Sequence, residues 1–178
     1  MGSIQVHEFT SLDGVIDAPT WTFEYGFDPR MGETIGAATA RCGGILLGRT
    51  TYEMFEPASS TRTADDDPGA PFFNDSPKYV VSGTLNATTW RNSSVVGPYD
   101  AAAIRRLKEE TDGDLSVGGA GLAASLLDLI DEFRPTVVPA FTGGGKPYFP
   151  LGADLRLRLV EQRTFGSGAV YLRYQWTA

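Results

Sequence analysis

Residues 115–122 read Leu115-Ser116-Val117-Gly118-Gly119-Ala120-Gly121-Leu122. A short apolar run stops at two glycines, and apolar residues at helical spacing continue from Leu122 to Ile130. Such a pattern is a buried strand handing over to a helix, through a turn that tolerates positive φ and close backbone approach. The same order occurs earlier in the chain. Ile45-Leu46-Leu47 is a continuous apolar run, and Gly48-Arg49-Thr50-Thr51-Tyr52-Glu53 turns out of it into a helix. Strands that alternate with helices in this way specify an α/β domain with a mainly parallel sheet.

Working outward, Ile4 to Phe9 alternates as a first strand and runs into the turn residues Thr10-Ser11-Leu12-Asp13-Gly14. Val15 to Pro29 is rich in Gly, Pro and aromatics, with Trp21, Phe23, Tyr25 and Phe27. These rings suit a lid or pocket wall, and equally a plug at one end of the core. Met31 to Arg41 reads as a helix closed by a left-handed cap at Gly43-Gly44. Pro57 to Pro71 reads as a surface loop. Lys78 to Ser82 and Ser94 to Val96 read as strands, and Ala101 to Glu110 as a helix with Asp100 as its N-cap. Phe133 to Phe141 reads as a further strand. Leu155 to Thr164 and Ala169 to Trp176 flank Phe165-Gly166-Ser167-Gly168 as a hairpin, which adds an antiparallel edge. No linker divides residues 1–178, so a single domain is expected.

The chain has 178 residues, 42% hydrophobic and 21% charged, with a formal net charge of -7. That length buries a core without staples. An acidic surface repels a phosphate backbone, so no nucleic-acid partner is expected, while a local basic pocket for one small anion stays allowed. No apolar run reaches the roughly 20 residues that span a bilayer, and the first ten residues lack a signal-peptide pattern. The expectation is a cytoplasmic protein with no membrane partner. One cysteine, Cys42, and one histidine, His7, leave no internal disulfide and no Cys/His cluster, so no metal is expected. Asp65-Asp66-Asp67 lacks ligand spacing and reads as a solvated loop. His7 reads as a satisfied strand histidine, Cys42 as a small packed residue, and Asp128, Asp131 and Glu132 as a solvated helix end. Gly143-Gly144-Gly145-Lys146 is followed by Pro147 where a P-loop needs Ser or Thr.

Three strand ends carry residues suited to a phosphate. At Gly48-Arg49-Thr50 a helix start offers amides and dipole, and Arg49 adds a bidentate cation; a plain helix start with a surface arginine is the alternative. Gly118-Gly119-Ala120-Gly121-Leu122 forms a cradle or simply a glycine-eased turn, without the spacing of a Rossmann fingerprint. Ser82-Gly83-Thr84 offers hydroxyls for a ribose or 2′-phosphate, or serves only as a turn. Ligands of open α/β sheets collect at the carboxyl ends of strands, so the three turns are expected to face one crevice.

The chain also carries Ser11-Leu12-Asp13-Gly14-Val15-Ile16, Leu47-Gly48-Arg49-Thr50-Thr51-Tyr52-Glu53 and Pro77-Lys78-Tyr79-Val80-Val81-Ser82, in that order. Val117-Gly118-Gly119-Ala120-Gly121-Leu122, Asp131-Glu132-Phe133-Arg134 and Gly144-Gly145-Lys146-Pro147-Tyr148-Phe149-Pro150 follow. From about Ile4 to Trp176 it resembles the dihydrofolate-reductase-like family that includes the reductase domain of the riboflavin biosynthesis deaminase–reductase. The resemblance implies a three-layer α-β-α sandwich, NADPH as hydride donor, a small pterin-like, pyrimidine-like or other heterocyclic substrate, and a homodimer. It also implies roles for residues. Gly48, Arg49 and Thr50 would take cofactor phosphates, Ser82, Gly83 and Thr84 the region of the 2′-phosphate, and Gly118, Gly119, Ala120, Gly121 and Leu122 the pyrophosphate. Asp13 to Ile16 would form the loop beside the nicotinamide, with Ile16 touching its carboxamide. Trp21 would face the substrate, and Asp13 or Glu24 would orient it or relay a proton. With no deaminase zinc motif, the chain reads as a free-standing reductase. A non-catalytic NADP(H)-binding protein and a dimeric interaction module are the alternatives on the same fold.

Overall fold

The computed structural model describes residues 2–17, 19–26 and 28–177. Phe27, one of the loop aromatics, lies outside the described residues. Eight strands form one sheet: β1 (Ile4–Thr10), β2 (Cys42–Gly48), β3 (Lys78–Val81), β4 (Ser93–Gly97), β5 (Asp114–Gly118), β6 (Glu132–Val137), β7 (Leu157–Thr164) and β8 (Val170–Trp176). Their order is β4-β3-β2-β5-β1-β6-β8-β7. The pairings from β4 to β6 are parallel, and β8 joins β6 and β7 antiparallel.

Helices cover both faces, giving three layers. The period of two sends Ile4 and Val6 to the same face as Leu46 and Val117. There they bury against Ile104 of α4 (Ala101–Glu110) and Leu122 and Ala123 of α5 (Ala120–Ser125). The opposite face carries two clusters. Phe9 and Tyr171 meet Met31 and Ile35 of α1 (Pro29–Thr39). Ile45, Leu47 and Val80 meet Tyr52 and Phe55 of α2 (Arg49–Ser59) and Phe72 and Phe73 of α3 (Ala70–Asp75).

Asp100 caps α4 as expected, accepting the Ala102 N–H at 2.8 Å. Several local expectations need correction. α1 ends at Thr39, and Gly43 and Gly44 lie inside β2. They are glycines because a Cβ on Gly43 would strike the Asp112 carbonyl, so close approach rather than a left-handed cap selects them. The supposed loop from Pro57 to Pro71 includes the end of α2 and the start of α3. The helix expected from Leu122 to Ile130 breaks at Leu126, and a 3-10 turn covers Leu127–Leu129. Of the three acids there, Asp128 is exposed, and Asp131, still partly solvated, accepts the Ile4 N–H and the Lys108 ammonium. Glu132 is buried on β6, where Arg134, Arg173 and Gln175 donate to it.

Candidate functional site

The strand register starts the three turns side by side. Gly48 at the end of β2 is the partner of Val81 on β3, and Leu47 is the partner of Gly118 on β5. Gly48 is the N-cap of α2 and Gly119 that of α5, and neither helix has a side-chain cap. The first-turn amides therefore stay open to an outside acceptor. Gly119 has φ 96°, and a Cβ there would strike Thr51 Oγ1 in the first turn of α2. A Cβ on Gly118 would lie 2.9 Å from Leu47 Cδ2. The missing side chains thus let the starts of α2 and α5 meet.

Arg49 and Thr50 are exposed at the start of α2. The Arg49 guanidinium is aimed by two partners, donating through Nε to Glu53 Oε1 (2.7 Å) and through Nη1 to Thr84 Oγ1 (2.8 Å). Ser82 is buried, and its Oγ accepts the amides of Thr84 (3.2 Å) and Leu85 (3.0 Å). It shapes the turn, while Gly83 and Thr84 form its exposed tip. Gly121 faces open space. Leu122 belongs to the core, so the crevice is bordered by the backbone before it.

Asp13 ties two loops together. Its carboxylate accepts from Ser11 Oγ (2.6 Å) and from the amides of Thr142 (3.2 Å) and Gly143 (2.9 Å). The Ser11 hydroxyl, helped by those amides, holds its pKa well below the usual carboxylate range. It is an ionised clamp rather than a proton donor at neutral pH. The Ile16 amide donates to the Lys146 carbonyl at 2.9 Å, and the Tyr148 amide donates to the Gly14 carbonyl at 2.8 Å. The 11–16 loop is therefore latched to the 142–148 loop along its length.

The aromatic segment divides its work. Trp21 and Tyr25, on a 3-10 turn at Pro19–Tyr25, pack with Phe9 over Met31, Val138, Phe165 and Tyr171. The Tyr25 hydroxyl donates to the Pro139 carbonyl at 2.9 Å. Phe23 is 83% exposed, and Glu24 beside it is also exposed. Glu24 and Asp13 are thus placed on separate loops, and only Asp13 is fixed by hydrogen bonds across loops. His7 lies on the same sheet face, its Nε2 3.0 Å from Thr136 Oγ1. Burial, with help from Arg134, pushes its pKa down to about 4, so the imidazole is neutral.

Glu8 is a polar group of this site that the motifs do not mark. It follows Ile4 and Val6 at strand spacing, a carboxyl on the apolar face of a central strand, and that alternation was its one signal. Its Oε1 accepts the Gly119 N–H at 3.1 Å. Burial pushes its pKa up to about 7, against the pull of that hydrogen bond. Among the described residues no group of three His, Cys, Asp or Glu is placed to hold a metal ion.

Residues 3–171 match the family described as the RibD C-terminal domain. The chain belongs to the RibD C-terminal domain family. This RibD C-terminal domain is 28% identical to the Bacillus subtilis protein YyaP, itself uncharacterized, over 93% of its own length and 90% of that protein. Among solved structures it is similar to a putative riboflavin biosynthesis protein from Shewanella sp. PV-4, with a TM-score of 0.82, 22% identity and 99% of each chain covered. It is also similar to the dihydrofolate reductase of Enterococcus faecalis complexed with NADP(H), with a TM-score of 0.67 and 13% identity over 99% and 98% of the chains. The fold of this RibD C-terminal domain is therefore dihydrofolate-reductase-like, with the antiparallel β6-β8-β7 edge. No helix among its described residues is long and apolar enough to cross a membrane.

Proposed function

We propose that this RibD C-terminal domain is an NADPH-dependent reductase acting on a small pterin-like, pyrimidine-like or other heterocyclic substrate. The observation that carries the proposal is the meeting of the α2 and α5 starts, neither with a side-chain cap, beside a guanidinium tied to the Ser82–Thr84 turn. That donor set fits a dinucleotide's phosphates: open amides, a helix dipole from α2 and one cation. The amides of Arg49 and Thr50 and the Gly118–Gly121 backbone would hold the pyrophosphate, and Arg49 with the Ser82–Thr84 turn the 2′-phosphate. When bound, NADPH supplies the hydride. The chain's own residues bind, orient and exclude water. Asp13 fixes the 11–16 loop beside the nicotinamide, where the Ile16 amide donates to the Lys146 carbonyl and the Ile16 backbone would meet the carboxamide. Trp21 walls the substrate side, and the exposed Glu24 is the acid proposed to serve the substrate's proton. A homodimer belongs to the same reading, as the resemblance implies, and sedimentation checks it.

A thermal-shift screen with NADPH and NADH, followed by loss of NADPH absorbance with candidate heterocycles, tests the proposal. NADPH is expected to raise Tm and to bind more tightly than NADH. Arg49→Gln is expected to weaken NADPH about tenfold and NADH less, the scale of one charge-assisted hydrogen bond. A protein that shows no shift with either dinucleotide overturns the assignment. Binding without turnover on any heterocycle favours a non-catalytic NADP(H)-binding protein instead. Asp13→Asn and Glu24→Gln are each expected to lower turnover more than cofactor affinity, and full activity in both variants removes these two residues from the mechanism.

A further inference from the structure

We propose that Glu8 is a positioning residue for the phosphate-binding turn, and that it takes up a proton when a dinucleotide binds there. The inference rests on the reductase assignment and adds a residue to it. Its basis is a competition for one donor. The Gly119 N–H, at the N-cap of α5 where the two helix starts meet, is given to Glu8 Oε1 at 3.1 Å. A phosphate that approaches this turn meets a carboxyl already holding one of its amides.

Among the described residues no Lys, Arg or His pairs with Glu8. β1 presents Val6, and β6 presents Pro135 as the register partner of Glu8. β5 and α5 present Val117 and Leu122, both buried. From the 142–148 loop and the residues after it comes Tyr148, whose hydroxyl donates to the Val6 carbonyl and accepts the Arg134 amide. The guanidinium of Arg134 is engaged with Glu132, and Arg49 is held by Glu53 and Thr84. Among these groups, the Tyr148 phenol feels the Glu8 charge, which helps to hold it neutral. An anionic carboxylate there repels phosphate across a poorly screened space, whereas the neutral acid keeps its carbonyl oxygen on the Gly119 N–H and removes the repulsion. With its pKa already raised to about 7 by burial, Glu8 passes between the two forms near neutrality.

The test measures binding rather than turnover. Dissociation constants of NADPH, and of NADH to avoid the ionisation of the extra phosphate near pH 6, are read from pH 6 to 9 on the wild-type domain and on Glu8→Gln. Calorimetry at pH 7.5 in two buffers of different ionisation enthalpy counts the proton. The wild type is expected to lose about tenfold in affinity across this range, the effect of a one-unit pKa rise on binding, and to take up a fraction of a proton. Glu8→Gln, which keeps a carbonyl for Gly119, is expected to show a flat NADH profile and no uptake. Binding by the wild type with no proton uptake and a flat NADH profile overturns the role of Glu8 and leaves the reductase assignment standing. A wild-type profile retained unchanged in Glu8→Gln also overturns it. Failure of both dinucleotides to bind at every pH overturns both proposals. The wild-type calorimetry decides the matter even if the variant does not fold.

Discussion

Two carboxyls of the site, Glu8 and Asp13, are driven in opposite directions, and their consequences for stability have opposite signs. Desolvation of the half-buried Glu8 carboxyl pushes its pKa up from the usual 4.5 to about 7 in the folded chain. The folded state then holds the proton more tightly, so its stabilisation is complete below pH 4.5 and is lost as pH rises through 7. Glu8→Gln removes that loss. In urea denaturation the variant is expected to gain on the wild type between pH 5 and pH 8, by up to about 3 kcal/mol. Asp13 is held ionised by Ser11 and two amides, so its stabilisation is present at neutral pH and fades on acidification below the usual 3.8. Neither environment was legible from single residues. The motif Ser11-Leu12-Asp13-Gly14 marked a turn, but the amides that hold its carboxylate come from Thr142 and Gly143, far along the chain. Glu8 was marked only by its place in an alternating strand, because the turn above it belongs to another element.

At the scale of elements, the junction of α2 with α5 depends on a missing side chain. Gly119→Ala must fit a Cβ against Thr51 at φ 96°, where L side chains rarely sit. The substitution is expected to lower Tm and to weaken NADPH binding, and Thr51→Ala in the same chain relieves only the steric part. Glycines here were readable as a turn, yet the same residue type at Gly43 and Gly44 misled, since close strand approach and a left-handed cap leave identical traces in sequence. α3 escaped notice for another reason. Its six residues are too few for a helical period and are held by tertiary bonds instead. Asn74 donates to the carbonyls of Ser59 (2.9 Å) and Arg62 (3.0 Å) and accepts Trp90 Nε1 (2.7 Å). Lys78, fully buried, donates to the carbonyls of Phe73 and Ser76 and lies over the Trp90 ring. Asn74→Ala leaves several of these groups unpaired and is expected to cost about 3 kcal/mol in chemical denaturation.

Across the whole molecule, the α/β class and the terminal hairpin were visible in the alternation of apolar runs and glycine turns, because those signals are local. Convergence of Gly48, Ser82 and Gly118 on one edge was expected from the rule for open sheets, and the register from β3 to β5 supplies it. The meeting of Trp21, Tyr25, His7 and Tyr171 on one sheet face was not visible, since they come together only through packing between distant segments. The sheet order has one more consequence. β1 hydrogen-bonds to β5 on one side and β6 on the other, with Ile4 facing Leu115 and Gln5 facing Glu132. Both neighbours of β1 thus come from the distant second half of the chain. β1 has no partner until its pairing with β5 closes the chain over residues 11–113. Refolding should accordingly run on the millisecond-to-second scale of non-local topologies, limited by that loop closure.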